Sequence, residues 1–187
     1  NYFEKIHHPL SAANLLRTLV EKTDRVVYSY RLSANAGPDY ISPGIEEITG
    51  YPAKAFYENP SLMMRITHPE DRRALVELPQ TIIAAPGQSM ISRIWRKDSA
   101  MLWIEHTALP IFDESGVLKE IQGIAQDITP EKQLQSRDYL IKEVALMAME
   151  NRPLNKILAH ICKQLVDIYG LNFAWIGMKE HDGSISI

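Results

Sequence analysis

The spacing of hydrophobic and polar residues changes character along the chain. Residues 25–32 are rich in β-branched and aromatic side chains, which favours a strand. Between residues 45 and 85 the apolar positions recur at helical spacing and prolines interrupt them, which predicts a series of short helices. Residues 89–127 have the pattern of three strands separated by two turns. From residue 130 to Tyr169 helical spacing returns, which predicts two longer helices.

Five strands are predicted, and the short helices fall between the second and the third of them. The last three strands are joined by the turns 97–99 and 113–116, so they should be antiparallel neighbours. The predicted strands are residues 25–32, 40–42, 89–96, 101–112 and 117–127. The predicted fold class is therefore α+β, a five-stranded antiparallel sheet packed on one face by small helices, of which residues 69–83 form the longest, bent or divided at Pro79.

The last predicted strand is followed by a helix without a flexible loop. Asp127, Ile128 and Thr129 form the junction, Thr129 is the expected N-cap, and Pro130 is the expected first helical residue. A capped junction is stiff, whereas a Gly/Ser linker would absorb a displacement. We therefore expect these three residues to transmit a change in the strand to the helix.

The helix from Pro130 to about Glu150 has an apolar stripe. We predict a contact between two copies of the chain along it, while a monomeric helix packed on its own sheet is the open alternative. The stripe residues are Leu134, Ile141, Val144 and Ala148. A second helix, residues 153–169, and a strand, residues 172–179, follow, and they are too small a unit to form a domain alone. We therefore expect a second copy of the chain to cover the apolar side of this unit too, so that the homodimer forms through both segments.

Composition narrows the class of protein. Of 187 residues, 45% are hydrophobic and the net charge is −3 with both signs interspersed, so the chain lacks the basic surface typical of nucleic-acid binding. It has one cysteine, Cys162, which fits a reducing cytoplasmic setting, and no apolar run near the ~18 residues of a membrane span. The chain begins at Asn1 without a signal peptide, so we expect a piece of a longer protein.

Three segments resemble a PAS domain of the third PAS fold type. They are YISPGIEEITGYPAKAF (residues 40–56), HPEDR (68–72) and SRIWRKDSAMLWIEHTALPIFDESGVLKEIQGIAQDIT (92–129), which is similar to PAC-type strands with an Asp-Ile-Thr exit. Asp98-Ser99 departs from the Asp-Gly usual in the family, which should slightly strain that turn. The tail, RPLNKILAHICKQLVDIYGLNFAWIGMKEHDG (152–183), resembles the first part of a GAF domain.

The resemblance implies four segments in this chain. They are an N-terminal linker and helix (1–24), a PAS domain (25–129), a signalling helix (130–151) and the truncated start of a GAF domain (152–187). PAS followed by GAF implies a bacterial signal-transduction protein. Its output would be a cyclic-di-GMP synthase or hydrolase (GGDEF/EAL type) or a sensor histidine kinase of a two-component system, attached in cis.

A ligand pocket is expected between sheet and helices, although plain core packing is the alternative for its aromatic and methionine residues. The candidates are Tyr28, Tyr30, Met63, Met64, Ile94, Trp103 and His106. If the face that carries His106 points inward, His106 could touch a ligand or a metal; otherwise it is a polar residue at a sheet surface. His68, before Pro69, should shape the entrance of the following helix.

No cofactor is predicted. Residues 45–85 contain no cysteine, which the flavin-binding branch of the family needs for its photochemistry, and residues 69–105 contain no histidine, which the haem-binding members use. No metal-ligand cluster, phosphate loop or catalytic pair stands out in the sequence. The sequence leaves open whether the domain binds an unidentified small ligand. The alternatives are a ligand-free dimerisation scaffold and a small-molecule-binding enzyme domain.

Overall fold

A computed structural model describes residues 25–32, 35–171, 173–179 and 185–186 of the chain. The N-terminal linker and helix expected at residues 1–24 lie outside these described residues. The chain divides into two compact units, and the boundary falls between Ile128 and Thr129. The first unit contains the sheet and the short helices, and the second contains the two longer helices.

The first unit is built on a five-stranded antiparallel sheet, as predicted. The strands are β1 (Arg25–Arg31), β2 (Gly37–Ile41), β3 (Ser89–Trp95), β4 (Met101–Phe112) and β5 (Leu118–Asp127). Their order across the sheet is β2-β1-β5-β4-β3, so the meander of β3, β4 and β5 is confirmed and β1 completes it along β5. The second strand begins three residues earlier than the sequence predicted, because Gly37 and Pro38 also pair with β1, across a register shift between Pro38 and Tyr40.

The two hairpin turns use positive φ angles. Gly116 has φ 80°, a conformation that costs glycine little. Ser99 has φ 70°, so the strain expected at Asp98-Ser99 is present in the backbone. The Asp98 carboxylate accepts a hydrogen bond from the Ala100 N–H (3.1 Å), which supports the turn locally.

Four α-helices and one 3₁₀ turn connect β2 with β3. They are α1 (Ile45–Thr49), α2 (Ala53–Glu58), α3 (Leu62–Ile66), the 3₁₀ turn Pro69–Asp71 and α4 (Arg72–Ala84). The prediction of one helix from Pro69 was wrong in its first turn, which is 3₁₀. Pro79 lies inside α4 and does not divide it, because the buried side chains of Leu78 and Ile82 anchor the helix on the sheet at that point.

The helices cover the inner face of the sheet. Alternate residues of β4 are buried, and these are Leu102, Ile104, His106 and Ala108. A larger core cluster lies beneath α1, α2 and α3, and a smaller cluster beneath α4 contains Ala108 and Ile121. Tyr28 packs against both clusters and so joins the two halves of the core.

The second unit contains α5 (Thr129–Met149), α6 (Leu154–Tyr169) and the short pair β6 (Met178–Lys179) and β7 (Ile185–Ser186). The helix α5 begins at Thr129, one residue before the predicted start at Pro130, so Thr129 is its first residue. The predicted strand 172–179 is reduced to β6 because residues 173–177 form no ladder. No helix within the described ranges is long and apolar enough to span a membrane.

Candidate ligand-binding site

A small cavity lies between the inner face of the sheet and the helices α1 and α3. Its volume is about 10 Å³, which is about the smallest cavity that can admit one water molecule. We call it the sheet–helix cavity. It is lined by Val26, Ile45, Ile48, Thr49, Met63, Ile94, Ile104, His106 and Ala125. Three of the seven predicted pocket residues, Met63, Ile94 and His106, therefore meet here.

His106 points inward, which decides between the two alternatives for this residue. Its side chain is buried, and its Nε2 lies 3.2 Å from the Oγ of Ser92, which is also buried. Burial lowers the pKa of His106 from 6.5 to about 4, because the charged imidazolium would lose its hydration there. At neutral pH the His106 imidazole in the cavity wall is therefore uncharged, and it shares a hydrogen bond with the Ser92 hydroxyl group.

Tyr28 lies beside His106 with the two ring centroids 6.4 Å apart in an edge-to-face arrangement. Burial raises the pKa of Tyr28 to about 12, so its phenol is neutral in the physiological range. The ring passes directly over Gly123, its partner on β5, where a Cβ atom would come within 2.5 Å of the ring. Gly123 therefore allows the position that Tyr28 occupies next to the cavity.

The other predicted pocket residues lie outside the cavity lining. Tyr30 is two positions along β1 from Tyr28 and partly buried, and Met64 is the neighbour of Met63 on α3. Trp103 lies on the opposite face of the sheet, because it alternates with the buried residues Leu102 and Ile104. The expectation that Trp103 faces this cavity was wrong, since the alternation of β4 alone does not tell which face is inward.

Two polar residues of the site were missed by the sequence reasoning. Thr49 lines the cavity, is fully buried, and donates a hydrogen bond to the Ile45 carbonyl (2.7 Å). Ser92 lies two residues before Ile94 and so shares the inner face of β3 with it. This spacing of two was the feature of the sequence from which Ser92 could have been predicted. Within the described ranges, no three His, Cys, Asp or Glu side chains are grouped so that they could hold a metal ion.

The edge strand β3 is covered by the segment that leads into α4. The His68 N–H donates to the Arg93 carbonyl (2.8 Å), and the Arg93 N–H donates to the Asp71 carboxylate (2.7 Å). These bonds satisfy backbone groups that a sheet edge would otherwise leave open. The His68 Nδ1 accepts a weak bond from the Glu70 N–H (3.4 Å), so its predicted role at the helix entrance is confirmed.

The strand-to-helix junction is anchored to the sheet. Asp127 ends β5 opposite Ile104, and the Ile128 N–H donates to the carbonyl of Trp103 (2.9 Å). The side chain of Ile128 is buried, and α5 begins at the next residue. The three predicted junction residues are thus consecutive positions of strand end, anchor and helix start.

Solved structures with similar folds include PAS domains. The N-terminal domain of a diguanylate cyclase with PAS/PAC sensor from Marinobacter aquaeolei is 21% identical with a TM-score of 0.51, and the match covers 57% of this chain and 97% of that one. A PAS domain from Colwellia psychrerythraea is 19% identical with a TM-score of 0.52, and the match covers 63% and 98%. Comparison with curated proteins gives no match.

A third similar structure is an RNA-binding light-oxygen-voltage receptor, 19% identical with a TM-score of 0.52, where the match covers 81% of this chain but 42% of that one. At these identities the likeness shows the fold. The sequence itself matches the family model described as PAS fold over residues 38–125. The first unit of the chain, a five-stranded antiparallel sheet with helices on its inner face, is therefore a PAS fold, and residues 38–125 are the segment of the chain that matches the PAS family.

Proposed function

We propose that this chain is the sensory part of a multidomain bacterial signalling protein. A ligand or a partner protein changes the sheet, and Asp127, Ile128 and Thr129 pass that change to α5. The observation that carries the proposal is the bond from the Ile128 N–H to the carbonyl of Trp103. Because Trp103 adjoins Ile104, which lines the cavity, a displacement of β4 at the cavity reaches the residue directly before α5.

The proposed output lies in the rest of the parent protein. A cyclic-di-GMP synthase or hydrolase fits the similarity to the sensor domain of a diguanylate cyclase, and a histidine kinase is the other candidate. In this proposal residues 152–187 begin a GAF domain, and the parent protein works in the cytoplasm. The PAS fold is a sensory module and not a catalytic one, so the reaction belongs to the output domain.

The proposed ligand, if the sensor uses one, is a small uncharged molecule and neither flavin nor haem. The supporting observations are the sequence, which lacks the flavin cysteine and the haem histidine, and the neutral His106 beside Ser92 in the cavity wall. A molecule larger than water needs α1 or α3 to move outward, because the cavity volume is only about 10 Å³. Such a movement is the kind of change that the sheet could transmit.

The proposed dimer contact is the stripe on α5. Leu134 and Ile141 are 49% and 59% exposed, and Ala148 is exposed as well. The face of α5 that packs on α6 is a different one, with Leu140 buried and the Glu143 Oε2 2.9 Å from the His160 Nε2 on α6. Val144 lies at the border between the two faces and is partly covered. A second copy would therefore cover apolar surface that α6 leaves exposed.

The first prediction concerns this dimer. We expect the chain to dimerise at micromolar concentration and Ile141→Lys to raise the dissociation constant by at least ~10-fold, because a buried isoleucine contributes about 1.5–3 kcal/mol in each copy. Sedimentation velocity over a concentration series measures it. Leu146→Lys is the matched control, since Leu146 is equally exposed on α5 but lies away from the stripe. Equal effects of both variants, or a monomeric parent chain, would contradict the proposed interface.

The second prediction tests signal transmission. Met63→Phe adds volume to a cavity without room for it, so α3 must move relative to the sheet. We expect the dimer dissociation constant to change by about fivefold, the size of a weak allosteric coupling. The control is Met64→Phe, because Met64 is the neighbouring residue but does not line the cavity.

A second candidate function is a ligand-free dimerisation scaffold, and the small volume of the cavity favours it. The same measurement separates the two functions. If Met63→Phe folds normally by near-ultraviolet circular dichroism and leaves the dimer unchanged, the cavity does not communicate with α5. The scaffold then replaces the sensor as the better description.

A further inference from the structure

An ion pair joins the segment before α4 to the sheet edge. The Arg93 guanidinium donates from Nε to the Asp71 Oδ2 (2.9 Å) and from Nη2 to the Asp71 Oδ1 (2.8 Å). The same Nη2 also donates to the Glu70 Oε2 (2.8 Å). Arg93 and Asp71 have side chains only 21% and 18% exposed. A two-pronged, charge-assisted contact of this kind holds its partners in one geometry, which an exposed surface pair does not.

The same guanidinium lies over the ring of Trp103. The Arg93 Cζ is 5.5 Å from the ring centroid, and the two residues are directly opposite each other on β3 and β4. The carbonyl of Trp103 is the acceptor for the Ile128 N–H. The contact therefore continues from the carboxylate of Asp71 through Arg93 and Trp103 to the last residue before α5.

On the other side of Asp71, a series of contacts leads back to the sheet–helix cavity. Thr67 is buried, its hydroxyl donates to the Met63 carbonyl (2.7 Å), and it forms a β-bridge with Ile94. Met63 and Ile94 both line the cavity. A movement of α3 at Met63 thus displaces Thr67 and, four residues further along, Asp71. The displacement has a short covalent and hydrogen-bonded route to Arg93.

We propose that Arg93 is a positioning residue that couples the cavity helices to the exit of the sheet. We name the three residues Asp71, Arg93 and Trp103 the edge clamp. When the segment 67–71 moves, the edge clamp moves the Trp103 carbonyl with it, and Ile128, whose N–H is bonded to that carbonyl, moves as well. Without the guanidinium, this segment is held on β3 only by the backbone bonds of residue 93 and by the Thr67–Ile94 bridge, so less of its movement reaches Trp103. The inference rests on the proposed sensory function, and it adds the route by which a change at the cavity leaves the sheet.

The experiment is a double-mutant cycle read at single amides of the full chain. Met63→Phe displaces α3, and ¹H–¹⁵N spectra report the response of Ile128, with and without Arg93→Gln. We expect Met63→Phe to shift the Ile128 amide signal in the Arg93 protein and to shift it several-fold less in the Arg93→Gln protein. The amide of Ala125, which lines the cavity directly, should shift in both backgrounds. A merely structural role of Arg93 would leave the response of Ile128 unchanged.

Amide hydrogen exchange gives a second readout. Arg93→Gln should speed the exchange of the Ile128 amide roughly tenfold, because the guanidinium that Asp71 holds over the ring of Trp103, the acceptor residue of this amide, is lost. Arg73→Gln is the matched control, because it removes the same charge. Arg73 pairs with Glu77 (2.8 Å) on the exposed side of α4. If Arg93→Gln fails to fold, Trp103→Leu tests the clamp, because it removes the ring and leaves the Arg93–Asp71 pair in place.

Two failures can be told apart. If Met63→Phe leaves both the Ile128 signal and the dimer unchanged with Arg93 present, the proposed sensory function is wrong and the clamp has no signal to carry. If Met63→Phe shifts Ile128 equally in both backgrounds, the sensory function stands and the edge clamp is overturned. Faster exchange everywhere in the sheet of the Arg93→Gln protein, instead of at Ile128, also overturns it.

Discussion

Replacing His106 with glutamine is expected to remove a large part of the pH dependence of folding between pH 6.5 and pH 4. In the folded protein the pKa of His106 is lowered to about 4 by burial, whereas an unfolded chain has an ordinary histidine pKa near 6.5. Above pH 6.5 the imidazole is neutral in both states. Below it the unfolded chain binds a proton that the folded protein does not, so the free energy of unfolding falls as the pH decreases towards 4.

The size of this effect follows from the two pKa values. Their difference corresponds to about 3 kcal/mol, which is lost between pH 6.5 and pH 4 and does not grow further below that range. The pKa of Asp71 is lowered, chiefly because of the side-chain hydrogen bond from Arg93. The contribution of Asp71 to the free energy of unfolding is therefore lost in a more acidic range, as the pH falls below the ordinary pKa of an aspartate. This loss is common to the parent chain and the variant. The difference between the two proteins therefore isolates His106.

Urea unfolding at pH 7, 5.5 and 4.5 measures the prediction. The chain has three tryptophans, and a Trp175→Phe background leaves Trp95 and Trp103, both in the first unit, as the fluorescent reporters. His160→Gln is the control, because His160 lies in the second unit and is partly exposed. The prediction is contradicted if His106→Gln and the parent chain lose the same stability between pH 7 and pH 4.5.

Gly123→Ala is expected to destabilise the first unit by about 1–3 kcal/mol, as overpacking of a core commonly does. The added Cβ would lie 2.5 Å from the Cζ and the Oη of Tyr28, so the ring must leave its place beside His106. The effect concerns space and not backbone conformation, since Gly123 is not among the glycines with positive φ. The urea midpoint of the same tryptophan reporters measures the loss.

A second substitution identifies the clash as the cause. Tyr28→Leu removes the atoms that the new Cβ meets, so the double variant should lose less stability than the sum of the two single variants. Gly44→Ala is the matched control, because its Cβ would be 3.6 Å from the nearest atom, the Arg25 carbonyl oxygen, at a φ of −55°. Additive effects of Gly123→Ala and Tyr28→Leu would show that the Tyr28 ring does not restrict this position.

The sequence determined the local elements of this protein. The strands of the β3–β5 meander lie within one residue of their predicted bounds, because short turns with Asp and Gly residues leave only antiparallel neighbours as the solution. The two long helices are also close to prediction, since helical spacing over 16 or more residues, ended by Gly170 in α6, is a strong signal. The same patterns placed the short helices between the second and the third strand, and the resemblance added the name of the fold to which this order belongs.

Only the tertiary structure decided which face of the sheet is inward. Both faces of β4 carry apolar residues, so alternation separated His106 from Trp103 but did not tell which of them meets the helices. The pairing of β1 with β5, the cover of the β3 edge by His68 and Asp71, and the bond from Ile128 to Trp103 also join residues far apart in the chain. Such contacts depend on where whole elements pack, and no local pattern records that.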